Sequence, residues 1–231
     1  MQQASHQIAF HDRGRVSRVP GIILLGASLF EVLGMMHHPS VQTTDTSRAI
    51  EQIARFSTWS AVIHGALITL MLLIAYGFVD FAVRRGLHRP LIRAGAIGYG
   101  CGVLVMVGAA LVSGFVVSGL TSLIPHETAI DLQIIRQLLV LCRVLNQTFA
   151  NCAVVAMSVG IACWSLDLCG DSGWRRGVGL FGCLVALVPG LALIFGQIHL
   201  DVHGMTEVVV VQAIWNVAVA VLMLRRKVYS A

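Results

Sequence analysis

The chain has 231 residues, of which 57% are hydrophobic and only 12% are charged, and its mean hydropathy is +0.82. Because soluble domains carry about 25% charged residues, this composition excludes an ordinary soluble enzyme, a disordered chain and a disulfide-stapled secreted module. The net charge of +5 does not indicate nucleic-acid binding, since the basic residues lie in short clusters between apolar runs, which is how membrane topology is encoded. The sequence therefore predicts an all-α, polytopic membrane protein.

Six apolar runs follow one another along the chain, and each is long enough to cross a bilayer, which takes about 20 residues. The runs cover residues 19–37, 58–83, 94–120, 138–166, 177–198 and 205–224. We expect an N-terminal segment (1–18), a single transmembrane domain of six helices (19–226) and a short tail (227–231). Residues 44–56 have the pattern of an amphipathic helix on the membrane surface, with an apolar side formed by Ile50, Ile53, Ala54 and Phe56.

Basic residues between the runs predict the orientation of the helices. One side of the bilayer carries four of them, namely Arg48, Arg55, Arg136 and Arg143. The other side carries twelve, which are Arg13, Arg15, Arg18, Arg84, Arg85, Arg89, Arg93, Arg175, Arg176, Arg225, Arg226 and Lys227. Because loops rich in Lys and Arg stay in the cytoplasm, we expect a multi-pass protein of the bacterial inner (plasma) membrane with both termini cytoplasmic.

Histidines show the opposite distribution. Six of the nine are predicted at the outer side, namely His37, His38, His64, His126, His199 and His203. His64 precedes Arg84 by 20 residues, which is about 30 Å along a helix and equals one hydrocarbon thickness. The same count brings His38, His199 and His203 to nearly the same level. Four helices are therefore expected to contribute a histidine to one layer.

The densest polar motif is Gln-Ile-His-Leu-Asp-Val-His, residues 197–203. If this segment is helical, His199 and His203 lie one turn apart on one face, as two ligands of one metal ion should. Alternatively, Asp201 or Thr206 caps the sixth helix and the two histidines flank a turn. Both interpretations remain open at the level of the sequence.

The histidine layer predicts a transition-metal site with His64, His199 and His203 as core ligands and His38 as a further ligand. Three histidines with an open position are the pattern of catalytic zinc. Adding His38 and Met35 would favour copper instead, because thioether sulfur is a soft ligand. The sequence therefore indicates zinc or copper without choosing between them.

Ionisable residues inside the apolar runs supply the candidate catalytic groups, which are Glu31, Glu207 and Arg143. Charged groups within a span usually face the bundle interior and have a partner, so Glu31 and Arg143 form the natural acid–base pair. A catalytic metal would activate water or dioxygen, and Glu31 or Glu207 would move protons. The expected activity is that of a metal-dependent hydrolase or oxidoreductase.

Two other functions fit the same residues. His64 and His203 could ligate one haem b, with Arg143 beside a propionate or a quinone headgroup. The chain could also be a non-catalytic accessory subunit of a membrane complex or a homo-oligomer, since its loops are short and its third run is rich in glycine.

Two resemblances to known families are carried by short motifs. The spacing Ser60-x-x-x-His64 with His199-x-x-x-His203 resembles the membrane hydrolase superfamily of alkaline ceramidases and adiponectin receptors, which implies a zinc-bound amide hydrolase. That family has seven core helices and an aspartate in the third, whereas residues 94–120 contain no acidic residue. The layout of His38-Pro39 after the first run and Trp59-x4-His64 resembles uncharacterised bacterial six-helix integral membrane proteins, which implies no particular activity.

Overall fold

The computed structural model describes residues 17–39, 46–122 and 129–225, and the regular elements in these ranges are all helices. They are α1 (Val19–Met36), α2 (Thr46–Arg55), α3 (Ser57–Arg85), α4 (Pro90–Leu111), a π-helical turn (Val112–Val116), α5 (Val117–Ser122), α6 (Ala129–Cys169), α7 (Trp174–Ile194) and α8 (Val202–Leu224).

Six helical stretches in the described part of the chain are long and apolar enough to cross a membrane. Five of them are α1, α3, α7, α8 and the part of α6 over Gln133–Cys169, and the sixth joins α4, the π-turn and α5 as Pro90–Ser122. The predicted all-α class with six spans is therefore confirmed. The fifth span ends four residues earlier than expected, at Ile194, because residues 197–200 have no regular structure.

The six spans form a closed ring in which each packs against two neighbours, in the order α1, α3, α4, α6, α7, α8 and back to α1. Because consecutive spans alternate in direction, the two ends of the ring have different side chains. We call one end the histidine end, defined by His38, His64, Asn146 and Leu200. We call the other the arginine end, defined by Arg85, Arg89, Asp167 and Arg225.

Glycine allows the helices of the ring to approach closely. A Cβ on Gly160 of α6 would lie 2.7 Å from the backbone nitrogen of Tyr99 on α4, and one on Gly102 would lie 2.5 Å from Cγ of Met157. Small residues at such crossings let helix backbones pack in lipid, where no hydrophobic effect drives them together. The glycines of the third span thus explain its packing against α6.

An aromatic cluster, which we call the aromatic floor, fills the ring below the level of Met71. It consists of Phe78, Tyr99, Trp164 and Trp215, each at most 3% exposed. Phe78 stacks on both indoles, with ring centroids 4.8 Å from Trp164 and 5.4 Å from Trp215. These large buried rings fill the middle of the bundle.

Charges at the arginine end form a buried network. Arg85 is 1% exposed; its Nε donates to Asp167 Oδ2 at 2.9 Å, and its Nη1 donates to Asp171 Oδ2 at 2.7 Å. Arg89 reaches the other carboxylate oxygen of Asp167, with Nη2 2.8 Å from Oδ1. These contacts join the end of α3 to the end of α6, so each buried charge has a charged partner.

The amphipathic segment between the first two spans is helical over Thr46–Arg55, as its pattern predicts. Ile50 and Ile53 are half-buried and Phe56 is 47% exposed. The helix packs mainly against α5 and lies at the histidine end.

Candidate functional site

A cavity of about 290 Å³ opens among α1, α3, α4, α6 and α8 at the histidine end. Its polar lining comes from Glu31, His38, His64, Ser113, Asn146, Gln147, Asp201 and Gln212. Five methionines, each from a different one of these helices, form much of the remaining wall, namely Met35, Met71, Met106, Met157 and Met205. The cavity therefore combines nitrogen, oxygen and soft sulfur groups.

The rim of the cavity holds a pair of histidines in close contact. Nε2 of His38 lies 3.2 Å from Nε2 of His64, and the rings meet edge-on with centroids 4.8 Å apart. Nδ1 of His64 donates to the carbonyl oxygen of Ser60 at 2.8 Å. Nδ1 of His38 donates to the carbonyl oxygen of Pro39 at 3.0 Å.

These hydrogen bonds determine where the ring protons lie. A carbonyl oxygen only accepts, so Nδ1 carries the proton in both neutral rings and both Nε2 atoms present lone pairs. Burial and the neighbouring His64 lower the pKa of His38 to about 4, so His38 does not hold a second proton at neutral pH. Two lone pairs 3.2 Å apart repel unless a positive ion lies beside both of them.

The π-turn makes the space that the His64 ring occupies. A Cβ on Gly114, inside this turn, would lie 2.4 Å from Cβ of His64, so only glycine fits there. Asn146 of α6 holds the start of the turn, because its Nδ2 donates to the carbonyl oxygen of Ala109 at 2.9 Å and to Oγ of Ser113 at 2.6 Å. Single π-turns inside α-helices are frequent at functional sites.

Two methionines, Met35 and Met205, line the same cavity as the histidine pair. Met35 is buried in a small cluster with Ile63 and Leu67, the neighbours of His64 on α3, and Met205 packs against the same cluster. Met35 also lies three residues before His38, at the end of α1. Sulfur and imidazole nitrogen therefore both line this cavity.

The helical interpretation of residues 197–203 is wrong, and the capping alternative is confirmed. Residues 197–200 lie between α7 and α8 without regular structure, and Asp201 caps α8 by accepting a hydrogen bond from the Gly204 N–H at 2.9 Å. That hydrogen bond, with His203 and His199 nearby, lowers the pKa of Asp201. The two histidines therefore lie around a cap and not on one helical face.

The predicted ligand set His64, His199 and His203 is not brought together in the structure. His199 and His203 are exposed and do not line the cavity, whereas His64 is buried within it. Within the described ranges, no three side chains of His, Cys, Asp or Glu form a group that could hold a metal ion. His38 and His64 are the two predicted ligands that meet.

The predicted pairing of Glu31 with Arg143 is also absent. Glu31 lines the cavity, but Arg143 is exposed, and no ion pair joins these two described residues. Gln147, one helical turn deeper in the bundle than Arg143, donates to the carbonyl oxygen of Leu200, so Arg143 lies beyond the start of α8. Glu207 is exposed on α8. His126 lies outside the described residues.

Met205, Ser113 and Gln212 are among the cavity-lining residues that the sequence did not reveal. Gln212 carried a signal that could have been used, because it is an amide in the middle of an apolar run. Met205 and Ser113 are common residues in apolar helices, so only the fold reveals their place.

Comparison of the chain with protein-family models, curated proteins and solved structures finds no match in any of the three. The assignment of a function to this cavity and its histidine pair therefore depends on their geometry alone.

Proposed function

We propose that this chain is a multi-pass plasma-membrane protein that binds a transition-metal ion, copper in preference to zinc, between His38 and His64. The histidine end faces outward and both termini are cytoplasmic. This orientation is supported by the many arginines at the opposite end, such as Arg84, Arg89 and Arg225, because loops rich in basic residues stay inside.

The Nε2–Nε2 distance of 3.2 Å is the observation that carries the proposal. Two imidazole nitrogens bound to one tetrahedral ion at about 2.0–2.1 Å are roughly 3.4 Å apart. Both Nδ1 atoms already donate to backbone carbonyl oxygens, and such bonds are what orients metal-bound histidines.

Copper is favoured by the groups that surround the pair. Zinc sites usually have three or four histidine, cysteine or carboxylate ligands, and the described residues supply no such group here. Met35 and Met205 line the same cavity as the pair and pack with Ile63 and Leu67 of α3, and thioethers select Cu(I). The proposed ligand set is therefore His38 and His64 with one or both of these methionines.

The same geometry disfavours haem b as the occupant of this position. Two axial histidines stand on opposite faces of the macrocycle, whereas His38 and His64 approach each other directly, with no room for a ring between them. His203, the partner considered for His64, is exposed and does not line the cavity.

Elemental analysis of protein purified in lipid nanodiscs and dialysed after copper loading tests the proposal. We expect about one copper per chain, and a loss of most of it in His38→Ala and in His64→Ala. His37→Ala is the matched control, because His37 is adjacent and exposed and its Nδ1 donates to the Leu33 carbonyl oxygen. Copper that remains bound in both variants, or is lost equally in His37→Ala, would contradict the proposal.

A further inference from the structure

The cavity extends well below the histidine pair. On α3 it reaches from His64 to Met71, seven residues and about 10 Å along the helix. Its volume of about 290 Å³ far exceeds that of one metal ion and equals the lower bound of small-molecule pockets, about 300 Å³. One metal ion therefore does not account for the space below the metal position.

Glu31 and Gln212 lie at one level near the bottom of the cavity. A Cβ on Gly34 would contact Leu67, and one on Gly77 contacts Leu24; since α1 and α3 are antiparallel, Glu31 lies level with Met71. On the other side of α1, a Cβ on Gly21 contacts Met223, and the same counting brings Glu31 level with Gln212 of α8.

These two side chains lack partners for their polar groups. Gln212 is only 7% exposed, and its buried Nε2 has no hydrogen-bond partner, although the side chain lines the cavity. Glu31 has no ion-pair partner among the described residues. An unpaired donor in such a place is destabilising, and a carboxyl group within a span is costly as an anion. Both groups therefore suit a ligand that accepts hydrogen bonds.

The walls suit a flat, unsaturated ring. Met71, Met106 and Met157 surround the lower part of the cavity, and the aromatic floor closes it below. Thioethers adapt their shape and make favourable contacts with aromatic rings. Because the aromatic floor fills the bundle below the cavity, an occupant enters and leaves from the histidine end or from the lipid beside it.

We propose that the cavity binds the single-ring headgroup of a lipid-soluble quinone, with one carbonyl oxygen accepting hydrogen bonds from Gln212 Nε2 and from the neutral carboxyl of Glu31. The methionines contact the faces of the ring. The site deepens the proposed function, because the ring lies directly below the metal position, but its binding groups are separate from His38 and His64.

Titration of metal-free protein in phosphatidylcholine nanodiscs with decylubiquinone tests the proposal, with quinone retained per chain measured against empty nanodiscs. We expect saturable binding of about one molecule per chain. Gln212→Leu and Glu31→Leu should each bind about tenfold more weakly. The matched control is Gln197→Leu, since Gln197 is exposed and does not line the cavity, and it should bind like the wild type.

Two further measurements separate this site from the metal site and from a folding defect. Gln212→Leu should keep its full copper content, and its melting temperature should not fall, because the change removes an unpaired buried donor. Wild-type protein without saturable binding above empty nanodiscs would overturn the quinone proposal and leave the copper proposal intact. Equal affinities of the wild type, Gln212→Leu and Glu31→Leu would overturn it as well.

Discussion

The two ends of the bundle treat polar side chains in opposite ways. At the arginine end, Arg85 is buried and forms ion pairs with Asp167 and Asp171. These ion pairs hold α3 against α6. At the histidine end, the lone pairs of His38 and His64 face each other and Gln212 has an unpaired amide nitrogen. The first arrangement is complete by itself, whereas the second is where we propose that a metal ion and a hydrogen-bond acceptor bind.

This difference shows which buried polar residues indicate function. A charged residue in a membrane span is costly. Where an ion pair offsets this cost, the residue is explained by its part in the fold. A polar group that faces an open cavity without a partner implies a ligand. By this criterion we place the proposed function at the histidine end.

Breaking the arginine-end network should have the largest effect on stability and none on metal binding. Arg85→Met leaves the buried carboxylate of Asp167 with Arg89 alone, so we expect the free energy of unfolding to fall by about 3 kcal/mol. Arg176→Met, an exposed control, should change it by less than about 0.5 kcal/mol. Thermal unfolding and copper analysis in nanodiscs measure both effects. Equal unfolding curves for the two variants, or lost copper in Arg85→Met, would break the comparison.

Filling the space beside His64 should disturb the histidine end alone. In Gly114→Ala the added methyl overlaps Cβ of His64, so the ring must move; we expect a loss of about 1–3 kcal/mol in stability and weaker copper binding. Gly119→Ala is the control, because nothing lies within 4 Å of its added Cβ. If Gly114→Ala binds copper as tightly as Gly119→Ala, the position of His64 is not critical.

The cap of α8 should have a smaller effect. Asp201→Ala removes the acceptor for the Gly204 N–H and should lower the melting temperature, whereas Asp201→Asn keeps an acceptor and should lower it less. Because the folded-state pKa of Asp201 is lowered, this contribution is present above the ordinary aspartate pKa and is lost as the pH falls through the lowered value. Thermal unfolding of the wild type, Asp201→Ala and Asp201→Asn between pH 3 and pH 7 checks this order of melting temperatures. A difference between the wild type and Asp201→Ala that does not change with pH would contradict the expected pH dependence.

The sequence predicted the spans well because lipid makes each span an independent apolar segment. It also brought His38 and His64 to one level, and both line the cavity, since counting residues along a helix from the arginines gives true depth. His64 lies on a span whose helix continues to that level, and His38 lies two residues after the end of α1.

The same counting failed where the helix ended early. The depth of His199 was counted as if α7 continued through it, but α7 ends at Ile194. Counting residues therefore does not give the depth of His199. Arg143 lies toward the histidine end of α6, as expected. The sequence of α6 does not show that α8 begins at a deeper level. Which side chains face an open cavity depends on how neighbouring helices end, and one sequence does not contain that information.

The most direct test of the histidine-end account is X-ray absorption at the copper edge of the copper-loaded protein in nanodiscs. If copper binds at the histidine pair, we expect two imidazole nitrogens at about 2.0 Å from the copper and at least one sulfur at about 2.3 Å. The imidazole signal should be lost in His64→Ala and retained in His37→Ala. A spectrum with only nitrogen and oxygen neighbours would exclude the methionines, and one unchanged in His64→Ala would contradict the site itself.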